Sequence, residues 1–258
     1  DVLDGQFAQS IESEPEMMAH HLARAGRIQE AISYLRKAGE HAIRRSANVE
    51  AIRHLQRGLE LLEQLPESSE RQQVQLGIDV VLGQALIAGR GYAATETRDV
   101  LLRAKELLHI LTDPADRFAV LYGIWACYYV GGEVALQQEA ASEFLAAAEQ
   151  AKDSAALCIA HRALGTTFVT MGEFATGRWH LEQARSLYDP ERHLRFRYQY
   201  GQDIGTTALC YLCWALWHLG HTDHADAVAR EAIAYAEKLD HPHTTAYAIC
   251  HARGMMDM

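Results

Sequence analysis

The sequence predicts an all-α solenoid, a right-handed superhelix of antiparallel helix pairs. Three observations predict it. Apolar residues recur every three or four positions along nearly the whole chain, the spacing of a helix face. All five prolines (15, 66, 114, 190 and 242) fall between such stretches and none within one. Proline lacks an amide donor and clashes with the preceding turn, so helix interiors exclude it. Finally, one pattern returns along the chain: a helix end, a glycine turn, a short polar step, then a helix whose small residues face back. It occurs in "RAGRIQEAISYLRKA" (24–38), "YVGGEVALQQEAASEFLAAA" (129–148), "TMGEFATGRWHLEQA" (170–184) and "HLGHTDHADAVAREA" (218–232). Repetition on this scale marks a repeat architecture, which coheres by burial between neighbours.

Reading between the breaks predicts helices over 15–25, 28–46, 48–65, 70–89, 94–112, 114–131, 133–151, 153–171, 173–188, 204–219, 221–239 and from 242 onward. Gly132 and Gly172 are 40 residues apart and Gly172 and Gly220 are 48 apart, so the last interval carries an insertion, 189–203. Around it, "YDPERHLRFRYQYGQDIG" (188–205) holds three arginines and four aromatics. If extended, it sets Leu194, Phe196, Tyr198 and Tyr200 on one side and Arg195, Arg197 and Gln199 on the other. A short helix after Pro190 is the other reading. Asp203 is placed to cap the helix that follows, with Gly201 releasing the chain into it.

Composition narrows the function. The 258 residues carry a formal net charge of −10, which argues against general nucleic-acid or anionic-membrane binding. Nothing resembles a signal peptide, and no apolar run approaches the roughly 18 residues that span a bilayer, so a cytoplasmic protein is expected. Five cysteines form no disulfide framework and are expected to be reduced and buried. Cys210 and Cys213 have CxxC spacing, but inside a helical run they read as two core residues on one face.

The units resemble tetratricopeptide repeats. With the turn glycine as the fifteenth position of a 34-residue unit, Leu164, Gly165 and Phe168 fall on the first helix's leucine, small and aromatic positions. Ala225, Ala229 and Ala232 fall on the small positions of a second helix, and Gly39, Ala42, Ala51 and Leu55 match in an earlier unit. Small residues are needed there because packed helix axes approach to about 8–10 Å. His161 stands where the repeat usually has tryptophan, and Gly177 where it has alanine. His161 is expected to be a buried structural histidine.

Longer phrases narrow the resemblance. "PEMMAHHLARAG", "RRSANVEAIRHLQRGLELLEQLP", "LGQALIAGRGYAATE", "AHRALGTTFVTMGEFATGRWHLEQARSLYDPERH", "YGQDIG" and "HPHTTAYAI" together resemble the carboxy-terminal repeat region of bacterial P-loop signalling ATPases. In that family a class III adenylate/guanylate cyclase domain often precedes the ATPase module. The resemblance implies that residues 1–14 end a linker from an ATPase module, and that 15–258 form a single repeat domain. It also implies that the chain is a fragment of a longer protein; the sequence ends within a helical pattern, as a fragment would. No GxxxxGK[ST] loop, paired metal-binding aspartates or GxSxG elbow is present. The expectation is a non-catalytic interaction and regulatory domain without cofactor or metal.

In the tetratricopeptide pattern certain first-helix positions point into the concave groove. They are Arg36, Glu40 and Arg44, then Tyr122 and Tyr129, Arg162 and Thr166, and finally Cys210, Trp214, Trp217 and His218. Charge at one end and aromatics at the other suit a protein or peptide partner. Trp214 and Trp217 could equally pack against the next helix pair. Arg195, Arg197 and Tyr200 would form a rim on the insertion, unless it serves as a wedge between units. From Leu22 to Leu62, eight Lys/Arg face four Asp/Glu, a surplus of 8 − 4 = +4 suited to an acidic partner such as the parent's own ATPase module.

Two other function classes fit the sequence. The same kind of array serves as the effector-binding domain of transcription activators. A metal-dependent enzyme would use His218, His221, His224, Asp223 and Asp226, but Gly220 breaks the helix among them, and Thr222 or Asp223 there is expected to act as a helix cap. His20, His21, His241 and His243 read as helix-start or surface residues.

Overall fold

In the computed structural model, residues 15–110, 114–193 and 202–254 are described. They form α1 (Pro15–Arg24), α2 (Ile28–Arg44), α3 (Asn48–Leu62), α4 (Ser69–Arg90), α5 (Thr95–Glu106), α6 (Pro114–Gly131) and α7 (Val134–Ala151). Then follow α8 (Ser154–Thr170), α9 (Phe174–Leu187), a short α10 (Pro190–His193), α11 (Ile204–His218), α12 (Thr222–Lys238) and α13 (Pro242–Ala248). A 3-10 turn, Leu108–Ile110, follows α5, and α13 runs into a π-helical turn, Ile249–Arg253. There is no strand among the described residues. The fold is an all-α, tetratricopeptide-like solenoid.

Two compact units divide the chain within α6, the first ending at Cys127 and the second starting at Tyr128. In the first, each helix from α1 to α5 packs on the next, and α2 also touches α4. Its core joins Ile32, Leu35, Leu55, Ile78, Leu82, Leu86 and Val100. One charge is buried there: Asp79 of α4 accepts from Arg103 of α5, with Nε–Oδ2 at 2.9 Å. Burial still pushes the Asp79 carboxyl above its ordinary value, with Arg103 opposing the rise.

In the second unit α8 packs on α7, α9 and α11, and α11 packs in turn on α9, α12 and α13. The α8–α9 crossing is backbone against backbone. A Cβ on Gly165 would lie 2.5 Å from Leu181 Cγ and 3.1 Å from the Gly177 carbonyl oxygen. A Cβ on Gly177 would lie 3.1 Å from the Gly165 oxygen. Leu181 fills the gap and is fully buried, worth about 1.5–3 kcal/mol for a side chain of its kind. Gly172 closes the intervening turn at φ +82°, a conformation that L side chains rarely adopt.

Caps fall partly as the sequence implies. Asp203 caps α11, its carboxylate accepting from the Thr206 amide at 2.7 Å. His241 caps α13 and accepts from the Thr244 amide. At α12 the cap position is His221 rather than Thr222 or Asp223, and no side chain bonds the free amides there. The residues following Pro190 form a single helical turn, whereas 194–201 lie outside the described residues, as do 1–14. Four cysteines are buried, but Cys250 is exposed. Burial pushes the Cys213 thiol up to about 12, and its Sγ donates to the Cys210 carbonyl, so the CxxC pair is core. Among the described residues no helix is long and apolar enough to cross a membrane.

Two glycine-to-alanine changes separate crowding from backbone strain. Gly165→Ala forces a methyl into filled space and should cost about 1–3 kcal/mol. Gly172→Ala meets no atom within 4 Å and should cost about 1 kcal/mol through its positive φ alone. Urea denaturation of both variants checks this; a Gly165→Ala protein as stable as wild type would mean that the crossing is looser than described.

Candidate functional site

Three of the predicted groove residues meet at the surface of the first unit. Arg36, Glu40 and Arg44 sit four residues apart on α2, one above the other on one face. Arg36 Nε donates to Glu40 at 3.0 Å, and both side chains remain substantially exposed, 47% and 36%. They line an open groove of about 330 Å³ whose other wall carries Val80, Val81 and Gln84 of α4 and Asp116 of α6. Gly77 makes room: a Cβ there would lie 2.7 Å from Arg36 Nη1. The groove is thus lined by apolar side chains together with charges of both signs.

The remaining candidates are placed differently. Tyr122 is 3% exposed and packs on Trp125 with ring centres 5.4 Å apart. Arg162 is 1% exposed, its Nε donating to Thr207 Oγ1 of α11 at 3.1 Å. Thr166 is fully buried, and its hydroxyl has no hydrogen-bond partner. These three lie inside the helix packing, not on an open wall. Tyr129 is half-buried, with its hydroxyl in a short contact with that of Tyr211. Trp214 and Trp217 are half-buried against the second core, and the Trp214 indole donates to the His251 carbonyl at 2.7 Å. His218 is exposed and stacks on Phe174 at 4.2 Å. Arg195, Arg197 and Tyr200 lie outside the described residues.

Three polar clusters in the second unit were not anticipated. Tyr211 hydrogen-bonds both Tyr129 and Tyr247, and Tyr247 stacks on His251 at 4.1 Å. The buried Asp203 accepts from the Tyr188 hydroxyl at 2.5 Å and from Thr206, while Tyr188 also contacts Tyr235. His161, half-buried rather than enclosed, meets His180 with Nδ1 atoms 2.9 Å apart. Trp179 packs edge-on to both imidazoles, and Phe168 stacks on His180. The signal for these clusters was in the sequence only as same-stripe spacing, such as Tyr247 and His251 four apart. Their partners come from other helices, which spacing does not reveal.

Burial, with the His161 charge adding to it, pushes the His180 pKa down to about 4, and burial lowers that of His161 as well. Only one proton fits between two nitrogens at this distance, so one imidazole donates to the other. Among the described residues no group of three or more His, Cys, Asp or Glu is arranged to hold a metal.

No protein-family model matches the chain. It is 24% identical over 235 residues to an uncharacterized protein of Rhizobium meliloti (strain 1021), spanning 90% of this chain and only 22% of that protein's length. Among solved structures it is similar to a signal transduction ATPase with numerous domains and a tetratricopeptide repeat sensor from Pyrococcus horikoshii. That match has a TM-score of 0.61 at 15% identity and covers 93% of this chain and 39% of the other. The apo form of RapI superposes with a TM-score of 0.58 at 14% identity, over 89% of this chain and 62% of RapI. These likenesses establish the fold.

The histidine pair sets a pH dependence. Between about 4 and the ordinary value of 6.5, the unfolded chain binds a proton that folded His180 refuses. Stability therefore falls as pH drops through that window and stops falling below it. His180→Phe, which keeps the stack on Phe168, should flatten part of this dependence in urea melts at neutral pH and mid-window. Parallel pH profiles for variant and wild type would assign the effect elsewhere.

Proposed function

We propose that this chain is a non-catalytic interaction and regulatory domain of a larger cytoplasmic signalling protein. It docks a protein or peptide partner and regulates an attached ATPase and nucleotidyl cyclase. In this reading residues 1–14 end the linker from the ATPase module, and 15–258 form the repeat domain, interrupted by the 189–203 insertion. The observation that carries it is the exposed groove of Arg36, Glu40 and Arg44, which sets apolar side chains beside charges of both signs. Apolar contact supplies affinity there, and the charges set register and association rate. The +4 surplus between Leu22 and Leu62 favours an acidic segment, for which the parent's own ATPase module is the proposed source.

Two comparisons support the larger setting. The matched Rhizobium meliloti protein is several times longer than the region it shares with this chain. The Pyrococcus horikoshii structure carries its repeats as the sensor of a signal transduction ATPase. Regulation requires that the partner bind two arrangements of the parent protein unequally, since a ligand shifts an equilibrium only by its differential affinity.

Arg36→Glu combined with Arg44→Glu in the full-length protein should slow partner association about tenfold at low salt, with a smaller difference at high salt. Co-purification and cross-linking followed by mass spectrometry would read this. Unchanged recovery and unchanged cross-links at both salt concentrations would remove the groove as the docking surface.

A further inference from the structure

In the first unit the chain turns from α3 into α4 around Pro66, and a hollow lies at this turn. Proline cannot continue α3, and Ser68 opens the next helix by accepting from the Arg71 amide at 3.1 Å. Gln29 and Ile32 at the start of α2 add a third wall, and the cavity between the three elements has about 160 Å³. An apolar cavity of about 150 Å³ binds one benzene molecule, which sets the size of an occupant. Ile32, Leu62, Leu65, Pro66 and Val74 supply the apolar lining. Ile32 and Leu62 are buried, whereas Val74 is 40% exposed and marks the opening.

Two opposite charges, Arg71 and Glu70, share this lining. The Arg71 side chain is only 17% exposed, and its Nη1 donates to the Leu65 carbonyl at 3.0 Å. The same nitrogen lies 2.7 Å from the carboxylate of Glu67, a side chain 78% exposed. The Arg71 Nε is buried with no partner, so the guanidinium keeps donor capacity that the fold does not use. Glu67 is held from the solvent side, where an ion pair is worth little, and another carboxylate can take its place. Glu70 is exposed, and bonds to its own amide and to the Ser68 hydroxyl hold its carboxyl below the ordinary value.

We propose that this cavity binds a free apolar α-amino acid. The side chain, of the size of one ring or a branched chain, fills the apolar hollow. The α-carboxylate replaces Glu67 on Arg71, whose planar fork matches it, and the α-ammonium meets Glu70. A hydrocarbon of the same size would use neither charge, and a singly charged analogue only one. The cavity shares no residue with the docking groove of Arg36, Glu40 and Arg44 and does not rest on that reading.

The test is calorimetric titration of the purified chain with L-phenylalanine, phenylacetate and 2-phenylethylamine, with methyl NMR to locate the bound ring. Phenylalanine should bind saturably at millimolar concentrations or below and shift the methyl signals of Ile32, Leu62, Leu65 and Val74. Each singly charged analogue should bind about fivefold more weakly, the worth of one exposed ion pair. Glu70→Gln should bring phenylalanine down to the affinity of phenylacetate. Val74→Phe fills the opening from its rim and should abolish binding, with stability in urea unchanged or raised. Absence of saturable phenylalanine binding, methyl shifts confined to other residues, or equal affinity for all three compounds would each overturn the proposal. So would undiminished phenylalanine affinity in Glu70→Gln or in a folded Val74→Phe protein. Arg36→Glu combined with Arg44→Glu should leave phenylalanine binding unchanged, so failure of the docking groove and failure of this cavity are distinguishable.

Discussion

The second unit depends on how near α8 and α9 come to each other. With hydrogen atoms alone at Gly165 and Gly177, the two backbones touch, and Leu181 seats itself fully in the space that remains. That crossing fixes the rotation of α8 about its own axis. The stripe carrying Cys158, Gly165 and Val169 is committed to α9, where Cys158 Sγ donates to the Ala184 carbonyl. The neighbouring stripe, with Arg162 and Thr166, is thereby turned toward α11. A buried arginine in a solenoid is thus a consequence of which residues are small elsewhere on the same helix.

Both units bury charge, and they do it in different ways. In the first, Asp79 meets Arg103, whose guanidinium is itself partly exposed, with a further hydrogen bond from Gln75. Desolvation outweighs these partners, as the raised Asp79 pKa records. In the second, Asp203 is held by hydroxyl and amide donors from Tyr188, Thr206 and the start of its own helix, so the charge is distributed over several bonds. Removing one partner there leaves the others in place. The two arrangements also differ in what they secure: Asp79 pins one helix pair, whereas Asp203 fastens the beginning of α11 to the end of α9 across the insertion.

Much of the fold was legible in the sequence because its signals are local. Prolines and turn glycines delimit the helices to within a few residues, and the small residues of the repeat mark the close crossings, as Gly165 and Leu181 illustrate. The candidate site was legible only in part. On α2, Arg36, Glu40 and Arg44 share one face that reaches solvent, as their spacing of four implies. Tyr122, Arg162 and Thr166 satisfy the same positional rule yet are interior, since the rule states which way a position points and not what packs over it. Tyr211, Tyr247 and His251 occupy no repeat position of note. They become a cluster only because α6, α11 and α13 converge, and contacts spanning 82 and 36 residues in sequence leave no periodic trace.

Charge works differently at the surface of the first unit and in the interior of the second. Arg36 and Glu40 face water, where an ion pair contributes little to stability and is weakened by salt, but where its field extends to approaching molecules. Arg162 is enclosed, where the same charge interacts more strongly with the dipoles around it.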